Sequence, residues 1–271
     1  MPVVTRQGQP AWRLRTPRTV LLAWLVWFLI VAVLVWSWQF VSERTIWAFV
    51  ADAPRQGGDL MARMVPPDWA YTAMLWQPLW DTINIATLGT LLAIIIATPL
   101  AFVAARNTTP ALPGLRALAL LIIVASRSIN ALIWALLLVM ILGPGVLAGI
   151  IAIALRSIGF IGKLLYEAIE ESDAKPVEAI IATGASPAQM RLYAIVPQVM
   201  PAFAGISVYR WDINIREATI LGLVGAGGIG LELMASVNVL AWGRVSMIFL
   251  LILATVLASE WVSARVRAAV T

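Results

Sequence analysis

The stretch VLLAWLVWFLIVAVLVWSW, from Val20 to Trp38, contains no charged residue. Crossing the hydrocarbon of a bilayer as a helix takes about 20 such residues. Five more predominantly apolar stretches follow, at about 79–104, 115–142, 146–165, 199–221 and 240–260. Backbone groups in lipid must hydrogen-bond internally, and the short alternating strands of a barrel are missing from the pattern, so these stretches are expected to be helices. The fold expected is all-α and integral to the membrane, with six transmembrane helices in one domain over 1–271. Composition agrees: 61% of residues are hydrophobic and 12% charged, against about 25% charged in an ordinary soluble domain. The first stretch exceeds the ~7–15 apolar residues of a signal peptide, and no Ala-x-Ala site follows it, so it reads as a retained span.

The chain has no cysteine and no histidine. Disulfides, zinc sites of the usual Cys/His kind and histidine-based proton relays are therefore excluded. No Ser/Lys or paired-Asp motif stands out in the spans. A non-enzyme is expected, with no catalytic residue, no metal and no cofactor of its own. Membrane lipid is an expected neighbour; nucleic acid is not.

Lysine and arginine concentrate in cytoplasmic loops. With six alternating spans, one face collects Arg6, Arg13, Arg15, Arg18, Arg106, Arg116, Lys163, Lys175, Arg191, Arg265 and Arg267. The other holds Arg44, Arg55, Arg63 and Arg244, diluted by Glu43, Asp52, Asp59, Asp68 and Asp81. Both termini are thus expected in the cytoplasm, with segment 42–77 outside. That segment carries Trp47, Trp69 and Trp76, and reads as a surface-lying amphipathic stretch or a docking site for an external partner.

The one long polar stretch on the inner face is 167–197. Pro176 suits a helix start, Gly184 a helix stop, and Ser186-Pro187 an N-cap followed by the first residue of a second helix. Two short helices joined by a turn are predicted. Glu178-Ala179, Gly184 six positions after Glu178, and Pro197 thirteen after Gly184 resemble the EAA loop of ABC-importer permeases. In that pattern Glu-Ala-Ala is followed by three residues, Gly, nine residues and Ile-x-Leu-Pro. Ile180, Ala194 and Val196 depart from it but stay small or apolar.

Four segments, SRSINALIWALLLVMILGPG, RSIGFIGKLLYEAIE, VPQVMP and ATILGLVGAGGIG, narrow the likeness. Together they resemble the permease subunit of phosphonate importers, relatives of which carry phosphite or hypophosphite. The resemblance runs from about Asp81 to Arg267. It implies a type I importer permease in the bacterial inner membrane, working as a homodimer. It also implies two cytoplasmic subunits that bind ATP and Mg, and a periplasmic binding protein that delivers the anion. The 167–197 loop would be the ATPase-coupling element, through Glu178, Ala179, Gly184 and Pro197.

Charges inside the spans are the second feature of interest. Arg210, Asp212, Asn214, Arg216 and Glu217 fall in the fifth span, Arg127 in the third and Arg156 in the fourth. A charged side chain at mid-bilayer costs roughly 2.5–3.5 kcal/mol on insertion scales. These groups must pair with one another or line a wet path for an oxyanion, and the two readings are compatible. Asp212 and Arg216 are four apart and can pair on one helix. Glu217 can pair with Arg127 or Arg156. In GLVGAGGIG, Gly225, Gly227 and Gly230 fit G-x-G-x-x-G, but no βαβ unit surrounds them. With Gly228 they read as a gate, a re-entrant turn or a tight packing site. The alternative to an ATP-driven permease is a self-powered secondary transporter or channel for small anions, which leaves the polar loop unused.

Overall fold

The computed structural model describes residues 3–6, 9–12, 17–109 and 114–270. Arg13 and Arg15, counted above for orientation, lie outside the described residues. The chain divides into two compact units, 1–60 and 61–271.

In the first unit β1 (Val3–Arg6) pairs antiparallel with β2 (Gln9–Trp12), Val3 opposite Trp12. The all-helical expectation gains this one short hairpin. Helix α1 (Pro17–Arg44) contains the whole of the first expected span. Its last residue, Arg44, places its guanidinium 4.0 Å from the ring centre of Phe40. Helix α2 (Trp47–Met64) begins in this unit. At 3.6 residues per turn, Asp52, Arg55, Asp59 and Arg63 gather on one arc, and Trp47, Val50, Pro54 and Met61 on the opposite one. Much of the expected external segment 42–77 is therefore helical.

The second unit holds α3 (Thr72–Ala104), α4 (Leu115–Ser128), α5 (Ala131–Leu142), α6 (Val146–Glu170), α7 (Ala174–Ala182), α8 (Pro187–Met190), α9 (Val196–Leu221), α10 (Ile229–Asn238) and α11 (Trp242–Val270). Its framework is the pair α3 and α6. Ala86, Gly89, Ala93, Ala97, Ala101 and Ala104 form a buried stripe on α3. Gly149, Ala152, Gly159 and Gly162 do the same on α6. Lipid tails are as apolar as leucine, so helices in a membrane gain from close approach rather than from burial alone. The approach here is tight: a Cβ on Gly89 would stand 2.7 Å from Ile153 Cγ2 and 3.0 Å from the Ile150 carbonyl. Ile85, Ala86, Ile153, Ile215, Leu221 and Ala226 close the main core around this pair.

One expected span is corrected. The stretch 115–142 is two helices, α4 and α5, set at 90°. Ile129 is extended, and Asn130 caps α5 by accepting the Leu132 N–H at 3.1 Å. Five helices of the described residues are long and apolar enough to cross a membrane, and the bent pair makes six if it counts as one. The last expected span starts at Trp242, and the unexpected α10 precedes it.

Candidate functional site

Helix α9 carries the intramembrane charges on two stripes. Arg210, Asn214 and Glu217 follow one another at helical spacing, and Asp212 and Arg216 do so beside them. Arg210, at 2% exposure, is among the largest fully buried side chains of the described residues. Its Nε donates to Ser157 Oγ at 2.9 Å, and its Nη2 lies 3.1 Å from Glu217 Oε2. The guanidinium also sits 5.1 Å from the Phe160 ring centre, within cation–π range. Asn214 Nδ2 donates to Thr90 Oγ1 at 2.7 Å and to Ser157 Oγ at 3.0 Å, joining α9 to α3 and α6. The second oxygen of Glu217 lies 3.4 Å from Arg156 Nη1, which also donates to Asn130 Oδ1 at 3.2 Å. On the other stripe Asp212 pairs with Arg216 and accepts from Ser259 Oγ of α11 at 2.7 Å. One polar set joins α9 to α3, α6 and the N-cap of α5, a second joins it to α11, and the buried charges Arg210 and Asp212 are each paired, as a low-dielectric interior requires.

The pairing of Asp212 with Arg216 follows the spacing read in the sequence. Glu217 turns to Arg156 and Arg210 together. Arg127 is exposed and has no carboxylate partner among the described residues. Its stem lies across α6, where a Cβ on Gly159 would come 2.6 Å from Arg127 Cγ. Of the intramembrane charges named from the sequence, Arg127, Arg156, Arg210 and Arg216 stand against Asp212 and Glu217, an excess of two positive charges in this set. Ser157, Thr90, Asn130 and Ser259 were not singled out from the sequence. Only Asn130 offered a signal, as an N-cap residue between two apolar runs.

Gly225, Gly227 and Gly228 sit in a turn between α9 and α10, all with positive φ. The Gly145 N–H donates to the Gly225 carbonyl at 3.0 Å, and the Ile229 N–H to Thr82 Oγ1 at 2.8 Å. A Cβ on Gly228 would come 2.6 Å from Thr82 Oγ1, and one on Gly230 would overlap the Thr219 carbonyl. This turn is packed with no room for side chains at those positions.

The polar stretch folds as the predicted pair of short helices. Helix α7 starts at Ala174, capped by Asp173, which accepts the Lys175 N–H at 3.1 Å. The expected start at Pro176 moves two residues upstream. Pro176 becomes the third helical residue, where a missing N–H costs nothing. Gly184, at φ +81°, turns the chain after α7. Ser186 and Gln189 form a capping box on α8, at 3.4 and 2.8 Å. A wide π-type turn over Arg191–Ile195 leads into α9, with Pro197 in its first turn. Glu178, Ala179, Gly184 and Pro197 are all exposed. The elbow is tied at its base: Gln198 Oε1 accepts the Asp173 N–H at 2.9 Å, and Gln198 Nε2 donates to the Ala194 carbonyl at 2.7 Å. Glu170 accepts the Arg106 N–H at 2.8 Å and lies 3.6 Å from Arg116 Nη2, fixing the end of α6. Among the described residues no cluster of acidic side chains is placed to hold a metal ion.

Comparison with known proteins places these features. The family model of the binding-protein-dependent transport system inner membrane component matches residues 97–268. Over 197 residues the chain is 43% identical to the phosphite transport system permease protein PtxC of Stutzerimonas stutzeri, covering 73% of this chain and 71% of that protein. It is 42% identical over 227 residues to the phosphate-import permease protein PhnE of Mycolicibacterium smegmatis, covering 82% of this chain and 42% of that protein. Among solved structures, an inward-facing form of the MetNI methionine ABC transporter superposes with TM-score 0.65 at 20% identity, over 75% of this chain and 99% of that chain. A bacterial alginate ABC importer gives TM-score 0.56 at 18% identity, over 92% of this chain and 98% of that one. The fold is that of ABC-importer permeases, and the chain belongs to the family of binding-protein-dependent transport system inner membrane components.

Proposed function

We propose that this chain is the permease of an ATP-driven importer of tetrahedral phosphorus oxyanions: phosphonate, phosphite or hypophosphite. The observation that carries the reading is the 43% identity to a phosphite permease over most of both chains. The excess of two positive charges among the named intramembrane groups supports it, because an oxyanion in transit needs cationic, bidentate donors.

In this reading 61–271 and the helices before it act as one transmembrane domain with both termini in the cytoplasm. Two copies enclose the path. The 173–198 elbow sits on a cytoplasmic ATPase subunit, which holds ATP and Mg, and Glu178, Ala179, Gly184 and Pro197 form the contact. Binding of a basic partner side chain by exposed Glu178, and close approach at Gly184, are what such a contact requires. A binding protein delivers the anion at the outer face, where the Gly225–Gly230 turn stands as a gate. Arg127, Arg156, Arg210, Asp212, Asn214, Arg216 and Glu217 line or brace the path. The chain performs no chemistry of its own; hydrolysis belongs to the ATPase.

The test is uptake of labelled phosphite, phosphate and methylphosphonate by proteoliposomes that hold the permease, its ATPase and its binding protein. Uptake of a phosphorus oxyanion that ceases when the ATPase is omitted is expected. Uptake by this chain alone, driven by an ion gradient, would make it a secondary transporter.

A further inference from the structure

Glu217 holds two arginines that differ in kind. Arg210, on one side, is 2% exposed and is fixed by Ser157 and Phe160 as well as by the carboxylate. Arg156, on the other, is 32% exposed and lies 3.4 Å from Glu217 Oε1. Arg210 is hydrogen-bonded to the carboxylate at 3.1 Å, whereas Arg156 makes an ion pair with it and no hydrogen bond. One arm of the carboxylate is therefore locked and the other loose.

The loose arm faces further unsatisfied donors. Asn130 accepts from Arg156 and Leu132 through Oδ1, and its Nδ2 donates to no described residue. The stem of Arg127 crosses α6 at Gly159, one helical turn from Arg156. Arg127, in the last turn of α4, and Asn130, the N-cap of α5, flank the break between the two helices.

We infer that Arg156, Arg127 and Asn130 form a transient stop for a tetrahedral oxyanion, and that Glu217 is its exchangeable counter-ion. This rests on the transport reading above and names the part of the polar seam that cargo touches. An incoming oxyanion takes the Arg156 fork, and Glu217 stays paired with Arg210. No buried carboxylate is orphaned, so the exchange avoids the cost of an unpaired interior charge. When the anion leaves, Glu217 returns to Arg156. An internal competitor of this kind keeps the stop weak, as a conduction path requires.

The experiment uses labelled phosphite and pairs uptake by the complete importer, binding protein included, with direct binding to the purified complex of permease and ATPase alone. The wild-type complex is expected to import phosphite and to show no saturable binding at millimolar concentration. Glu217→Gln should bind at least tenfold more tightly and import at least tenfold more slowly. Arg127→Gln, at an exposed position, should lower uptake about tenfold, and added to Glu217→Gln should abolish the tighter binding. Glu217→Gln that assembles and binds no better than wild type overturns the inference. So does wild-type import with unchanged uptake by Arg127→Gln, which decides the matter even if Glu217→Gln fails to assemble. A wild-type complex that imports no phosphorus oxyanion overturns the transport reading instead, and the stop with it.

Discussion

Helix α6 presents two faces built on opposite rules. Toward α3 it offers Gly149, Ala152 and Ile153, and the seam is dry, charge-free and closed by shape. Toward α9 it offers Arg156 and Ser157, and that seam is closed by hydrogen bonds and ion pairs. In hydrocarbon the first kind is the economical one, since small residues allow backbone approach without any polar group to satisfy. A membrane protein that keeps the second kind beside it is maintaining charge for a purpose. The dry seam fixes where the helices stand, and in the function proposed above the polar seam governs what can pass between them.

The largest effect should come from breaking the polar seam on one side only. Arg210→Met leaves Glu217 with its loose partner alone, and removing one member of a buried pair costs about 3–5 kcal/mol. Thermal unfolding in detergent should show a large loss, and Arg210→Met with Glu217→Leu should recover much of it. If the single and double variants unfold alike, pairing is not what makes the seam stable.

Overfilling the dry seam should cost somewhat less. Gly89→Leu places atoms where Ile153 and the Ile150 carbonyl already stand, and overpacking of this sort typically costs about 1–3 kcal/mol. Partial rescue by Ile153→Ala, read from the same unfolding curves, would confirm that shape alone closes this face. No rescue would point to a backbone displacement instead.

The smallest effect belongs to the elbow. Ser186→Ala removes half of the capping box on α8, a loss of about 1 kcal/mol. The permease should keep its fold, and the readout is hydrogen exchange at Gln189, expected to rise with no change in α3 or α6.

What the sequence disclosed follows the same division. Apolar runs were legible because the bilayer sets a minimum length, and the elbow because Gly184 and Ser186-Pro187 have one local meaning each. The i, i+4 partnership of Asp212 with Arg216 was legible too. The bend at Ile129–Asn130 was hidden, since α4 and α5 together are long enough to pass for one span. The hydroxyls of Ser157 and Ser259 were hidden for a different reason. A serine in an apolar helix commonly bonds its own preceding turn, and only the folded arrangement turns Ser157 and Ser259 toward α9. Glu217 likewise chose between helices far apart in sequence, which spacing cannot resolve.

The claim on which everything else depends is that the 173–198 elbow is gripped from the cytoplasm by an ATPase. The chain has no cysteine, so a single Ala188→Cys supplies a unique, exposed label. Crosslinking from that thiol in inside-out vesicles should capture the co-expressed ATPase subunit, and an impermeant reagent added outside intact cells should fail to reach it. Labelling from outside, with no ATPase captured from within, would contradict the account.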